Sequence, residues 1–291
     1  MRMLRENPLL HYHLLGATRH RWRRQPWLYG TAVVGIALVY ILALQVAFQG
    51  GEGVEVPLGL SLFVMGIAAP LMAYNLFSSE YEKQTWESLA LTRLTALEIF
   101  WGKWGVALVR VALTTVLFAP SFLFSGEENP YTIGAAFALL FGWGTLLASV
   151  GVWLSFKLKR TLTTAAALYA GQVFVLMLLP SLVFVFGGRM WEYNLSDTIR
   201  LATSVHEAVS VWLLSLTDGT IILYAHPFYT ASKLSWLSEP RSWWWQSEDH
   251  WRYMRGLYAM GWGFTQSVLY LAVAALFAGL TYRGLKISWR K

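Results

Sequence analysis

Cysteine is absent from this 291-residue chain, and charged residues are scarce. Without cysteine the chain has no disulfide, no thiolate metal ligand and no cysteine nucleophile. Charged residues make up 13% of the sequence, whereas a soluble domain usually has about 25%. Hydrophobic residues make up 56%, so the composition argues against an ordinary soluble domain and favours a membrane protein.

The chain also lacks the phosphate-binding motif of P-loop ATPases. That motif reads G-x-x-x-x-G-K-[ST], but Gly102-Lys103 is followed by Trp104, and Leu97 stands at the first glycine position. We therefore expect no nucleotide cofactor in this chain. If ATP drives its function, the ATPase has to be another polypeptide.

A zinc-protease motif is begun but not completed. His206-Glu207 has Ser210 where the second histidine would stand. His226 and His250 have no spacing that fixes a metal site. We expect no catalytic residue and no metal in this chain, and hence no enzyme activity of its own.

Six long apolar runs dominate the sequence. A membrane-spanning helix needs about 20 mostly apolar residues. The runs that qualify are residues 29–48, 57–77, 99–124, 131–156, 162–186 and 264–285. Their length and lack of alternation favour helices over barrel strands. The predicted fold is an all-α integral membrane protein with six transmembrane helices in a single domain, residues 1–291.

Basic residues alternate between the connections. They are frequent in residues 1–28, 78–104, 157–160 and 283–291, and absent from 49–56 and 125–130. Short cytoplasmic connections are rich in Lys and Arg, so both termini are predicted to be cytoplasmic. The net charge of +7 is therefore attributed to membrane orientation and lipid contact, and we expect no nucleic-acid partner.

Two further segments flank the apolar runs. Residues 7–24 predict a basic amphipathic helix on the cytoplasmic membrane surface. Residues 187–263 predict a long extracytoplasmic segment before the last span. Within it, His206, Glu207 and Asp218 interrupt residues 201–224, which favours short helices in the outer leaflet over a seventh span.

A charged stretch, SSEYEKQTWESLALTRLTALEIFWGKW, fills residues 78–104 between two apolar runs. Its first half contains good helix formers and neither Gly nor Pro, which predicts a short cytoplasmic helix over residues 80–92. Trp86, Leu89 and Leu91 can form an apolar patch on it. A solvated helix without a partner and a helix that binds a partner both fit these residues.

The same stretch resembles a segment of type-2 exporter permeases of the ATP-binding-cassette class. The matching letters are E-x-E-K-x-T-W-E-x-L from Glu80, followed by T-x-L-T-x-x-E-I-x-x-G-K, which ends at Lys103. Gln84 and Arg93 stand where the family usually has glycine and proline. NPLLHYHLLG (7–16) and HPFYTASKL (226–234) are similar to the family's entry helix and to its segment before the last span.

The resemblance implies a function and partners. In the family this connection is a coupling helix that docks into a cleft of a separate nucleotide-binding ATPase subunit, which holds ATP and Mg. Two permease subunits, identical or related, enclose the pathway in the inner or plasma membrane. By position, the residues in contact with the ATPase would be Glu80, Glu82, Lys83, Thr85, Trp86, Glu87 and Leu89.

Three other functions are considered. The first is a membrane anchor of such a complex that transmits force without transport. The second is an intramembrane enzyme, which the missing catalytic motifs disfavour. The third is a secondary transporter, which is disfavoured because no acidic residue lies deep within the six runs.

Arg110 is a charge inside the third run. It lies about 11 residues along the run, or roughly 16 Å at the helical rise. Such a charge faces a bundle interior or a watery cavity. It can contact a polar or anionic substrate, or it can pair with carbonyl groups, Asn75 or Gln172.

Small residues recur in the fourth and fifth runs and allow helices to approach closely. They are Gly142, Gly144, Ala148, Gly151, Ala166, Ala170 and Gly171. Tight packing within one subunit is the expected explanation, and an interface between two subunits is the alternative.

Overall fold

The computed structural model describes residues 54–92, 94–125, 130–178, 226–228, 231 and 248–288, with scattered helical positions between 27 and 45. Over these residues the secondary structure is helical and contains no strand, so the predicted all-α class is confirmed there. The predicted helix over 7–24 and the segment 201–224 lie outside the described residues, as does most of the first predicted span.

Eight α-helices and one π-helical turn have assigned bounds in the described ranges. They are α1 (Glu55–Ala73), α2 (Ser78–Glu82), α3 (Trp86–Ala90), α4 (Ala96–Leu117), α5 (Ala119–Leu123), α6 (Pro130–Leu158), α7 (Thr161–Val173), the π-turn Phe174–Leu178, and α8 (Glu248–Ser288).

Five stretches of helix are long and apolar enough to cross a membrane. They are Val56–Glu82, Ala96–Leu123, Pro130–Leu158, Thr161–Leu178 and Gly263–Ser288. The protein is thus a multi-pass membrane protein, and these stretches coincide with the second to sixth predicted runs. The first of them covers both α1 and α2 and the turn between them.

Helix α6 lies at the centre of the bundle and packs against α1, α4, α7 and, most extensively, α8. Small side chains permit these approaches. A Cβ on Gly142 would lie 3.1 Å from the Cα of Ser267 in α8, and one on Gly144 would lie 2.8 Å from the side chain of Met65 in α1. The expectation of tight packing within one subunit is met at these two glycines. In the fifth run, by contrast, a Cβ added to Gly171 would have no described atom of another helix within 4 Å.

The contacts also fix the relative directions of the helices. Gly144 lies against Met65 and Gly151 against Ala73, so α1 and α6 run parallel. Ala135 lies against Gly263 and Phe156 against Gly284, so α6 and α8 are also parallel.

Helices α4 and α7 run the opposite way. Arg110 reaches Met72, and Lys103 reaches Leu76, so α4 is antiparallel to α1. Tyr169 donates to the carbonyl of Ile67 over 3.1 Å, while Thr161, earlier in α7, contacts a later part of the α1–α2 stretch. As a result, residues 78–95, residues 157–160 and the end of α8 share one end of the bundle, which we call the basic end.

The predicted third span and the predicted segment 187–263 differ from the observed elements. The third run is interrupted at Phe118, because Pro120 has no N–H to continue the hydrogen-bonding pattern of α4 and lies instead in the first turn of α5. Helix α8 begins at Glu248 and has 41 residues, or about 61 Å of helix. The last part of the predicted 187–263 segment is therefore an extension of the final membrane helix.

Candidate functional site

The segment predicted as one helix over 80–92 forms two short helices, α2 and α3. We call residues 78–92 the connecting segment. Helix α2 ends in a Schellman motif, in which Gln84 N–H donates to Tyr81 O over 3.2 Å and Thr85 N–H donates to Glu80 O over 2.9 Å. Gln84 has a φ of 57°, the left-handed conformation that glycine usually supplies at this position.

Helix α3 turns its apolar side chains towards the bundle. Trp86 stacks on Tyr81 with a centroid distance of 4.8 Å and lies 6.2 Å from the Phe77 ring and 6.5 Å from the Phe156 ring. Leu89 is only 9% exposed. Trp86 and Leu89 thus attach α3 to the membrane helices, and their own side chains offer little surface to a partner.

A buried ion pair joins α2 to α4. The Lys103 ammonium lies 2.6 Å from the Glu80 carboxylate, with the lysine side chain 0% and the glutamate side chain 17% exposed. Lys103 also donates to the carbonyl of Leu76 and lies 5.0 Å from the centre of the Phe77 ring. Glu80 and Lys103 are the first and last residues of the sequence pattern described above. A contact within the chain therefore explains these two positions of the pattern.

Ser155 joins the same region to α6. Its buried hydroxyl accepts hydrogen bonds from the backbone N–H groups of Phe77 and Ser78, each at 2.9 Å. The first N–H groups of a helix have no partner within the helix. Ser155 therefore satisfies the start of α2 from the central helix of the bundle.

Glu82 also makes an internal contact. Its carboxylate accepts from the backbone N–H of Thr161 at 2.7 Å and from the Thr161 hydroxyl at 2.9 Å, which caps the start of α7. Lys159, just before α7, lies 5.0 Å from the centre of the Tyr81 ring. The two connections at the basic end thus pack against each other.

Thr95 and Glu98 begin α4 with a reciprocal capping box. The Glu98 carboxylate accepts from Thr95 N–H at 2.8 Å, and the Thr95 hydroxyl accepts from Glu98 N–H at 3.3 Å. Both residues belong to the resembling pattern. Their geometry explains that part of the pattern by helix initiation alone.

The seven predicted contact residues therefore divide into two groups. Glu80, Trp86 and Leu89 face the bundle, while Lys83, Thr85, Glu87 and Glu82 are exposed. Sequence reasoning placed Leu91 in a shared apolar patch with Trp86 and Leu89, but its side chain is 88% exposed. Five of the exposed residues of the connecting segment form what we call the outer patch: Lys83, Gln84, Glu87, Ser88 and Leu91.

Arg110 lies half-buried on α4, and its guanidinium donates to the carbonyl of Met72 at 3.3 Å. Met72 is in the last turn of α1, where carbonyl groups lack partners within the helix. A carbonyl contact of this kind is one of the alternatives that the sequence left open. The other alternative, contact with a substrate, stays a hypothesis.

His226 contacts the π-turn Phe174–Leu178 that follows α7. Its Nε2 lies 3.0 Å from the carbonyl of Leu176. Burial lowers the pKa of His226, and the hydrogen bond to Leu176 partly opposes this effect. The described residues contain no group of three or more His, Cys, Asp or Glu side chains that could hold a metal ion.

Comparison with known proteins adds no relative. Neither a scan of protein-family models nor a search of curated proteins finds a match to this chain. The proposed function therefore rests on the geometry of the basic end and on the sequence pattern of residues 80–103.

Sequence reasoning missed the partners on the bundle side. The resembling pattern contained both Glu80 and Lys103, but nothing in it indicated that they pair with each other across 23 residues. Ser155 and Thr161 carried no recognisable signal, because a serine or threonine near a helix end is common. Only the packing of α6 and α7 against α2 gives them a role.

Proposed function

We propose that this chain is the membrane permease subunit of an ATP-driven exporter and that a separate ATPase subunit binds its outer patch. The observation that carries the proposal is the connecting segment. It exposes Lys83, Glu87 and Leu91, while Glu80 contacts α4, Trp86 contacts α6 and Glu82 contacts α7. A force on this patch would reach the membrane helices through hydrogen bonds and ring contacts.

The arrangement of the bundle supports the proposed orientation. Helices α6 and α8 are parallel, and α7, which follows α6 in the chain, runs the opposite way. Three basic parts of the chain share one end of the bundle: residues 78–95, residues 157–160 and the end of α8. This agrees with the rule that cytoplasmic connections are rich in Lys and Arg. We therefore place the basic end and both termini in the cytoplasm, with six spans in the inner or plasma membrane.

The proposed assembly contains two permease subunits and two ATPase subunits. The ATPase supplies the ATP and Mg sites, since this chain lacks a P-loop motif. ATP binding drives the permease between states only if the ATPase binds one permease conformation better than the other. The substrate class stays open.

Co-purification tests the ATPase contact. The tagged chain is purified gently from its native membrane, and its partners are identified by mass spectrometry. We expect a stoichiometric P-loop ATPase that is lost from the Lys83→Glu/Leu91→Asp variant. The matched control is Lys286→Glu, which reverses an exposed lysine at the end of α8 and should retain the ATPase.

The outcome also separates the exporter from its rivals. If the chain comes out alone, under conditions that preserve a known transporter complex, the proposal fails. If the ATPase co-purifies but candidate substrates never stimulate its hydrolysis in liposomes, the non-transporting anchor becomes the better interpretation. Enzyme activity of the isolated chain on lipid or peptide would favour an intramembrane enzyme.

A further inference from the structure

The helical path from α1 into α2 is broken by a turn over residues 74–77. This turn lies inside the apolar stretch Val56–Glu82. Backbone N–H and C=O groups outside regular helix need partners when they are buried in an apolar environment. The side chains that supply these partners determine how firmly the turn is held.

Partners come to this turn from two different helices. Lys103 of α4 donates to the carbonyl of Leu76, and Ser155 of α6 accepts from the N–H groups of Phe77 and Ser78. The peptide group between Leu76 and Phe77 is thus bound at its oxygen by Lys103 and at its N–H by Ser155, which also binds the next N–H, that of Ser78. One turn of helix earlier, Arg110 of α4 also binds the carbonyl of Met72.

The ion pair extends this hold into α2. Glu80 binds the same ammonium group that contacts Leu76. Because Lys103 is fully buried, separating the pair would leave a charge without its counter-ion in an apolar site. A swing of α2 away from α4 is therefore strongly opposed.

We propose that Lys103, together with Glu80 and Ser155, is a positioning group that locks the connecting segment to α4 and α6, so that the three move as one body. This inference rests on the proposed function, because it states how a force on the outer patch is delivered. The force moves α4 and α6 directly and is not absorbed in the turn over residues 74–77. We call this group the lock.

The lock can be tested by distance measurement, because the chain has no native cysteine. Spin labels are attached to cysteines introduced at Thr92, directly after α3, and at Leu113 of α4; both residues are exposed and neither belongs to the outer patch. The labelled chain is placed in lipid nanodiscs, and the distance distribution is measured by pulsed electron resonance. We expect one narrow distribution for the otherwise unchanged chain.

Lys103→Met removes the charge with little change in side-chain length and should widen the distribution. Ser155→Ala keeps the ion pair and should widen it less. Lys157→Met, which removes an exposed lysine at the same end, is the matched control and should leave the distribution unchanged. If Lys103→Met does not fold, the widths of the distance distributions in Ser155→Ala and Glu80→Gln decide whether the lock exists. Unchanged widths in the folded lock variants would overturn the inference.

A second measurement uses the complex with the co-purified ATPase. On addition of a non-hydrolysable ATP analogue, the distance between the labels at Thr92 and Leu113 should stay constant when the lock is unchanged and should shift in Lys103→Met. A shift in the unchanged lock would overturn the one-body inference. If no ATPase co-purifies, the proposed function fails, while the nanodisc measurement still decides whether the lock exists.

Discussion

Lys103 shows how single residues stabilise the basic end. Its ammonium group is fully buried and is compensated by the Glu80 carboxylate, the Leu76 carbonyl and the face of the Phe77 ring. Removing one member of a buried pair usually destabilises a protein far more than removing both, because the remaining charge is left uncompensated.

We expect Glu80→Ala to lower the free energy of unfolding by about 3 kcal/mol, a value typical of broken buried pairs. Glu80→Ala/Lys103→Met should recover most of that loss, since no charge then stays buried. Unfolding in mixed detergent micelles, followed by tryptophan fluorescence, measures both variants. Equal losses in the single and double variants would contradict the assignment of the cost to the unpaired ammonium.

Gln84 offers a second test at this scale. It has positive φ in a Schellman motif, and a residue with a Cβ pays roughly 1 kcal/mol there relative to glycine. Gln84→Gly should therefore raise the free energy of unfolding by about that amount.

Ser88→Gly is the natural comparison for Gln84→Gly. It introduces the same residue four positions later, inside α3, where the lower helix propensity of glycine should reduce the free energy of unfolding by roughly 0.5 kcal/mol. The same unfolding assay compares the two. A loss of stability in Gln84→Gly would show that the left-handed turn is not what governs this site.

At the scale of helices, the close contact of α6 with α8 depends on the absence of side chains. A Cβ at Gly142 would lie 3.1 Å from the Cα and 3.2 Å from the carbonyl oxygen of Ser267. Because these are backbone atoms, they cannot move aside by changing a rotamer. The two helices would have to separate.

We expect Gly142→Ala to destabilise the protein by about 1–3 kcal/mol, the usual range for overpacking. Gly134→Ala is the matched control on the same helix, because no described atom lies within 4 Å of the added Cβ; it should be neutral or slightly stabilising. Thermal unfolding temperatures of the two variants in one detergent decide the matter. If both lose the same stability, helix contact is not the cause.

Apolar length predicted the individual helices well where it was the only determinant. The predicted run 131–156 became Pro130–Leu158. The prediction failed where another interaction decided the end of a helix. Gln84 breaks the expected 80–92 helix by adopting a left-handed conformation that its residue type does not favour. The 15 residues that α8 adds before Gly263 were not predicted as part of the last helix, because polar residues interrupt the apolar run there.

At the scale of the whole molecule, the charge pattern and the helix directions agree on a common basic end. The sequence predicted that residues 78–104, 157–160 and the C-terminus share one side. The contacts of α1, α4, α6, α7 and α8 bring them to one end of the bundle. Which residues form the outer patch could not be predicted, because that depends on three-dimensional packing against Phe77, Phe156 and Lys103.

Cysteine labelling tests the membrane orientation. Lys286→Cys and Lys157→Cys, both at exposed positions, should be protected from a membrane-impermeant maleimide in intact cells, whereas Glu127→Cys, in the predicted outer loop, should react. After permeabilisation, the first two should react as well. Because the chain has no cysteine of its own, each signal belongs to one site. Labelling of Lys286→Cys in intact cells would reverse the proposed orientation.

The length of α8 has a consequence for the opposite side of the membrane. Its 41 residues make about 61 Å of continuous helix, roughly twice the hydrocarbon thickness of a bilayer. A rod of this length that pivots within the bilayer acts as a lever. Because α8 contacts α6 from Gly263 to Gly284, a joint tilt of the two helices about a point near Gly284 would move Glu248 further sideways than Gly263. Small movements at the basic end would thus be amplified beyond the far surface of the membrane.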